Sequence, residues 1–166
     1  GSKVDMTQGN HKKTTFPNMK VENYKMKWDI KEDSLHLWNN DSTKPFDLYK
    51  GNAFLDGRAS IRYQGLFGQG KVTTNHAEAI SKMFNFQDEF FTGKYTAFRV
   101  NSDVDGKPAL RTNDAKLRFD MVKMEATFGP EEEGYASTEF PFMQYKTSLG
   151  EGHLKINEDI VEMKFD

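Results

Sequence analysis

The sequence predicts an all-β fold: antiparallel strands in a folded-over sheet, or in an elongated jellyroll or solenoid-like stack of repeats. Three observations predict it. Apolar and polar residues alternate along most of the chain, the period of strands with one buried face. A short phrase recurs: Phe54-Leu55-Asp56-Gly57-Arg58 is echoed by Phe90-Phe91-Thr92-Gly93-Lys94 (90 − 54 = 36), and Val72 to Ala79 by Leu110 to Leu117 (110 − 72 = 38). A longer phrase, Trp28 to Leu37, lines up with Leu154 to Met163, a shift of 154 − 28 = 126.

Composition bounds the rest. With 166 residues, 14 Phe and only 5 Pro, the chain has the length and aromatic content for one packed domain. A net charge of −2 offers no basic field for phosphate backbones, so no nucleic-acid partner is expected. The absence of Cys excludes disulfides and thiolate metal sites. No apolar run reaches the roughly 20 residues of a membrane-spanning helix.

Taken in order, residues 1–15 read as a flexible lead-in or tag, Gly1-Ser2 being a typical tag remnant. Tyr24 to Ile30 alternates, Lys31-Glu32-Asp33-Ser34 is a turn, and Leu35 to Trp38 is a second strand, which together make a hairpin. Its twin closes the chain after Tyr145, with the phrase Ile-x-Glu-Asp shared by both turns. A Phe-Pro pair precedes each, at Phe16-Pro17 and Phe140-Pro141. Residues 16–45 are therefore expected to be the end of a preceding repeat, and 46–166 one full repeat ending in a second hairpin. Asn39 to Pro45 is a polar loop, Phe46 to Tyr49 a short strand, and Gly51 to Tyr63 a strand interrupted at Gly57. Gln64 to Gly70 reads as a glycine-rich turn into a strand at Lys71 to Thr74. His76 to Phe84 has apolar residues at helical and at alternating spacing, and its alternating echo favours a strand. Asn101 to Gly106 is a turn. Leu117 to Phe128 alternates with a phase slip at Met121-Val122, the mark of a bulge or bend. Gly129 to Gly134 is an acidic turn, and Tyr135 to Phe140 a further strand.

No set of residues assembles into a reaction, so no enzyme is expected. Gly65, Gly68 and Gly70 lack the order and the following Lys of a phosphate loop. Asn101 to Gly106 matches the first half of a calcium loop, but Thr112 stands where a bidentate Glu belongs. No catalytic residue, metal site or cofactor is expected. His36 and His76 would support a hydrolase only if either met a carboxylate within hydrogen-bond reach. The aromatic-rich stretch offers an apolar trough for acyl chains, lined by Phe54, Ile61, Phe84, Phe86, Tyr95 and Phe98. The alternative is a glycan-binding surface module using Tyr24, Trp28, Trp38 and Tyr49 as a stacking platform.

Gly51-Asn52-Ala53, Gly57-Arg58-Ala59, Thr74-Asn75-His76-Ala77 and Gly93-Lys94-Tyr95 resemble the strand and turn phrases of the OstA-type β-jellyroll of lipopolysaccharide-transport proteins. The hairpin phrase with its Phe-Pro pair resembles large repetitive envelope proteins of Bacteroides-like bacteria. The first likeness covers roughly Phe46 to Phe128. It implies stacked antiparallel strands, an inner face able to hold or conduct acyl chains, and head-to-tail joining of units. The expected place is the cell envelope, periplasmic or outer-membrane associated. The expected partners are neighbouring repeats of the same longer protein, or self-association by strand edges, with lipid as the ligand.

Overall fold

The computed structural model describes residues 3–6, 16–132, 136–148, 150–155 and 160–164. The strands are β1 (Lys3–Met6), β2 (Met19–Glu22), β3 (Tyr24–Asp29), β4 (Ser34–Asn39), β5 (Phe46–Leu48), β6 (Ala53–Arg62), β7 (Gly65–Thr73) and β8 (Ala77–Phe86). Then come β9 (Phe90–Val100), β10 (Leu110–Asp120), β11 (Glu125–Pro130), β12 (Ser137–Phe140), β13 (Tyr145–Ser148), β14 (Glu151–Lys155) and β15 (Ile160–Lys164). A 3-10 turn, Pro141–Met143, separates β12 from β13. Every pairing is antiparallel. One sheet runs β1-β2-β5-β6-β7-β8-β9-β10-β11-β14-β15, with β3–β4 joined at β6 and β12–β13 joined at β10. The all-β, antiparallel expectation is what the chain adopts, and the sheet does not close into a barrel.

The sheet folds over because its central strands each serve two layers. The start of β6 pairs with β5, and its end, from Arg58 to Ile61, pairs with β4. The start of β10 pairs with β12, and its end, from Ala115, pairs with β11. Between the halves each long strand is irregular: Gly57 and Gly70 at φ +148° and +133°, Tyr95 at 47°, Asp114 at 52°. In β8 the register jumps between the Gly68–Phe84 and Gly70–Ser81 pairs, so Lys82 and Met83 together oppose Gln69 alone. These breaks are neighbours across five strands and form one fold line.

Across that line the two layers face each other. Phe98 of one packs on Phe128 of the other, with centroids 5.2 Å apart. The Tyr49 hydroxyl lies 2.7 and 2.9 Å from the carbonyl oxygens of Gln87 and Phe90, one proton shared between them. Burial raises the pKa of this phenol. One inward row reads Ala59, Gly68, Phe84, Gly93, Leu117, Phe128, Gly152 from strand to strand. Large rings lie over small neighbours: a Cβ on Gly68 would meet the Phe86 ring at 2.6 Å, and one on Gly152 the Phe128 ring at 2.3 Å. The next inward row carries Leu66, Phe86, Phe91, Phe119, Ala126 and Leu154, all buried.

Several expectations are corrected. Gly65, Gly68 and Gly70 lie inside β7 and not in a turn, because Gly68 leaves room for a ring and Gly70 for a backbone crossing. The phase slip at Met121-Val122 is a full reversal, Met121 to Met124, capped by Asp120 accepting from the amides of Val122 and Lys123 at 2.9 and 2.8 Å. The lead-in contains β1, paired with β2. The echo at 36 and 38 residues is not a structural repeat. Thr74 to Ala77 turns between two strands, whereas Thr112 to Ala115 is an irregularity within β10. The turn expected at Asn101 to Gly106 is present, held by Ser102, whose hydroxyl donates to the carbonyl oxygens of Val104 and Lys107. The turn of the second hairpin and the expected strand start at Tyr135 lie outside the described residues.

The fold line predicts unequal costs for two glycines. A Cβ at Gly57 would sit 2.2 Å from the Gln69 carbonyl oxygen, while one at Gly51 (φ +84°) meets nothing within 4 Å. Gly57→Ala should cost about 2–5 kcal/mol, combining backbone strain with overpacking. Gly51→Ala should cost about 1 kcal/mol. Urea unfolding of the two variants measures the difference.

Candidate functional site

The six residues proposed to line a trough divide between the two faces. Phe84, Phe86 and Phe98 are fully buried, and Ile61 packs against the same core. Phe84, Phe86 and Phe91 pack with centroids 5.8 to 6.1 Å apart, and Phe91 stacks on Phe119 at 5.3 Å. These rings occupy the interior that alternation offers as a trough. Phe54 is on the opposite face from buried Ala53 and Leu55, in an outer row with Asp47 and Thr73. Tyr95 is exposed on the fold line, and its hydroxyl donates to Glu132 at 2.7 Å, which raises the phenol pKa. Phe54 and Tyr95 therefore do not join the other four.

The concave surface of this molecule lies outside, along the fold line. The bulge at Lys82-Met83 turns both side chains outward, pinned by Ser81, whose hydroxyl donates to the Lys94 carbonyl at 2.6 Å and accepts from the Met83 amide at 3.0 Å. One cleft of about 810 Å³ has Ile80, Met83, Tyr95 and Ala97 along it. A second, of about 320 Å³, shares Lys82, Met83 and Lys94 with the first and adds Arg58, Arg62 and Phe67. The groove thus carries apolar side chains together with Asn113 and Asp114 at one end, Lys82 and Lys94 in the middle, and two arginines at the other. Arg58 donates to Gln69 at 3.2 Å, and the Arg62 guanidinium lies 5.2 Å over the Phe67 ring. Among the described residues, no ion pair within 4 Å ties Arg58, Arg62, Lys82 or Lys94 to a carboxylate. Sequence reasoning missed this site. The available signal was Arg58 and Arg62, four apart and so on one face of a strand, with Lys82 two strands away and Lys94 three.

The histidines were the other test. His36 Nδ1 is 2.7 Å from the Ser60 hydroxyl oxygen, and ligand atoms of His36, Asp29 and Glu32 lie within 4.8 Å of one another. Burial lowers the His36 pKa first, with Arg58 and Arg62 adding to it, so the ring is neutral near pH 7. Ser60 is buried and lines the floor of the smaller cleft, between Arg58 and Arg62 on the same face of β6. His153 meets Glu125 at 3.2 Å across two edge-side strands.

The four aromatics of the glycan reading do not form a platform. Tyr49 is buried, Tyr24 packs against the core, and Trp28 and Trp38 sit on opposite faces of one hairpin. Lys25 lies over Trp38 at 5.6 Å. No protein-family model, curated protein or solved structure matches this chain.

The lowered His36 pKa sets a pH dependence. The unfolded ring titrates near 6.5 and takes up its proton before the folded ring does. Stability is therefore full above that pH and falls as pH drops through it. Urea unfolding between pH 8 and pH 5.5 should show this loss, and His36→Gln should remove that part of it.

Proposed function

We propose that this chain is a non-enzymatic building block of a bacterial cell-envelope protein, extended by neighbours at its sheet edges. The observation that carries the reading is the open sheet: among the described residues, β1 and β3 at one end, and β13 and β15 at the other, have no further strand beside them. Edge strands of this kind are templates for pairing. The exposed Met26, Trp28 and Tyr145 on those strands are apolar where a free edge is ordinarily charged. The envelope location rests on the resemblance of the repeat phrases alone.

The lipid part of the proposal moves from the interior to the outer groove. Ile80, Met83 and Tyr95 offer apolar burial for an acyl chain, and Lys82, Lys94, Arg58 and Arg62 suit an anionic head beside it. Protein purified from a Gram-negative host and extracted with organic solvent should release acyl lipids detectable by mass spectrometry. Ile80→Glu with Met83→Glu, both at exposed positions, should abolish that lipid while leaving the unfolding midpoint within experimental error. A lipid-free extract from the unmodified protein would overturn the lipid part.

A further inference from the structure

The two ends of the sheet are related by the 126-residue shift in three strands of four; the fourth pair, β1 and β12, correspond by their pairing and lie 137 − 3 = 134 residues apart. In the first hairpin Asp29 faces Ser34, and in the last Lys155 faces Ile160; 155 − 29 and 160 − 34 both equal 126. The strands β2 and β13 obey the same shift, Met19 to Tyr145 and Glu22 to Ser148. Each is the second strand of an antiparallel hairpin, with β1 and β12 as the respective partners.

The ends differ in which strand of each hairpin the body holds. At the first end the second strands are held: β2 by β5, and β4 by β6. Among the described residues nothing pairs with the outer edges of the first strands, β1 and β3, which are bare. At the last end the first strands are held, β12 by β10 and β14 by β11, and the second strands, β13 and β15, are bare. Superposed by the shift, the two half-held hairpin pairs make one pair held on both sides.

Side chains follow the same complementarity. Trp28 on bare β3 is 59% exposed, and its counterpart on held β14, Leu154, is 4% exposed. Tyr145 on bare β13 is 53% exposed, and its counterpart on held β2, Met19, is 1% exposed. The match extends to charge: Lys20 faces Asp47, and Lys146 stands at the position equivalent to Lys20.

We propose that the two ends are the halves of one joint. A second unit of this same fold covers each bare edge, and consecutive units share a single hairpin pair. That pair is held by β10 and β11 of one unit and by β5 and β6 of the next. The expected register sets Trp28 against Ala126 and Lys27 against Thr127 of the preceding unit. It sets Tyr145 against Leu48 and Lys146 against Asp47 of the following one. Met26 falls in the place of Gly152, where a Cβ would meet the Phe128 ring at 2.3 Å. The unit preceding this one therefore carries a smaller residue than Phe128 there, and a joint made from two identical copies must keep Gly152. This deepens the building-block part of the proposed function and does not depend on lipid.

The test is a tandem chain in which residues 1–155 run directly into residues 30–166, adding one period and leaving one shared hairpin pair. Its β14 keeps its fit to β11, and its β4 keeps its fit to β6. The comparison is two complete chains joined by a flexible Gly-Ser linker. The expected result is one cooperative urea transition for the shared tandem, with a midpoint above that of the single chain. Amides of the shared hairpin should exchange hydrogen as slowly as those of central strands. Two transitions, a midpoint at or below that of the single chain, or failure to fold while the linked pair folds, would overturn the shared joint. If the linked pair alone is stabilised, units join edge to edge with both hairpin pairs retained, and only the sharing fails. If neither tandem gains stability, the building-block reading fails with it.

Discussion

The structure depends on the close passage of two backbones at Gly57 and Gly70. Each occupies the space a Cβ of the other's strand would need, with the Gln69 and Asp56 carbonyl oxygens 2.2 Å from the two ideal Cβ positions. That contact lets β6 and β7 bend together. The bend has a cost in hydrogen bonds, because β6 changes partner from β5 to β4 there. Asn39 supplies what the ladder cannot: its Oδ1 accepts from the Gly57 amide at 2.8 Å, while its Nδ2 donates to Asp56 at 2.8 Å. Losing the hydrogen bond to this part-buried amide would cost about 0.5–1.5 kcal/mol, so Asn39 belongs to the bend as the glycines do.

The same bend decides where a ligand has room. Folding one sheet into two layers brings inward rows from both halves together, and Phe rings then fill the space over Gly68, Gly93 and Gly152. Close packing of that kind leaves little for an acyl chain. On the outer side, the extra residue that the bulge inserts in β8 has no inward position to take. Lys82 and Met83 both emerge, beside Tyr95 where β9 makes its own left-handed step. The irregularity that makes the core possible thus also makes the groove.

Alternation was enough to recognise the strands and their antiparallel pairing, since a period of two has few other causes in residues as aromatic as Tyr24 to Trp38 or Leu110 to Phe119. Identical short phrases misled where their environment differed. Gly57 is required by backbone approach at a positive φ, while Gly93, its echo, is required by the Phe84 ring and Thr96 at ordinary φ. The same residue type answered two unrelated constraints. Glycine-rich β7 was likewise read as a turn, because the reason for each glycine lies on a neighbouring strand. The groove was hidden for a similar cause. Its residues come from five strands, β6 to β10, and a one-residue bulge in β8 reverses the face that alternation assigns to Met83.

The ends of the sandwich pose the remaining physical problem. A folded sheet that does not close must stop somewhere in each layer, and a stop leaves unpaired amides and carbonyls in both. Proteins that stop there for good place charge on the edge or cover it. Here one face of β3 carries Lys25 and Lys27, which suits water. The other face carries Met26 and Trp28 in line with Leu37 and Leu35, so a core row continues past the last covered strand. Charged residues alone would have ended that row at no cost in packing, since nothing beyond it requires an apolar neighbour. An apolar row carried out to a bare strand is stabilising only when something apolar arrives to meet it. The buried Leu154 marks what the equivalent position looks like once a strand has arrived.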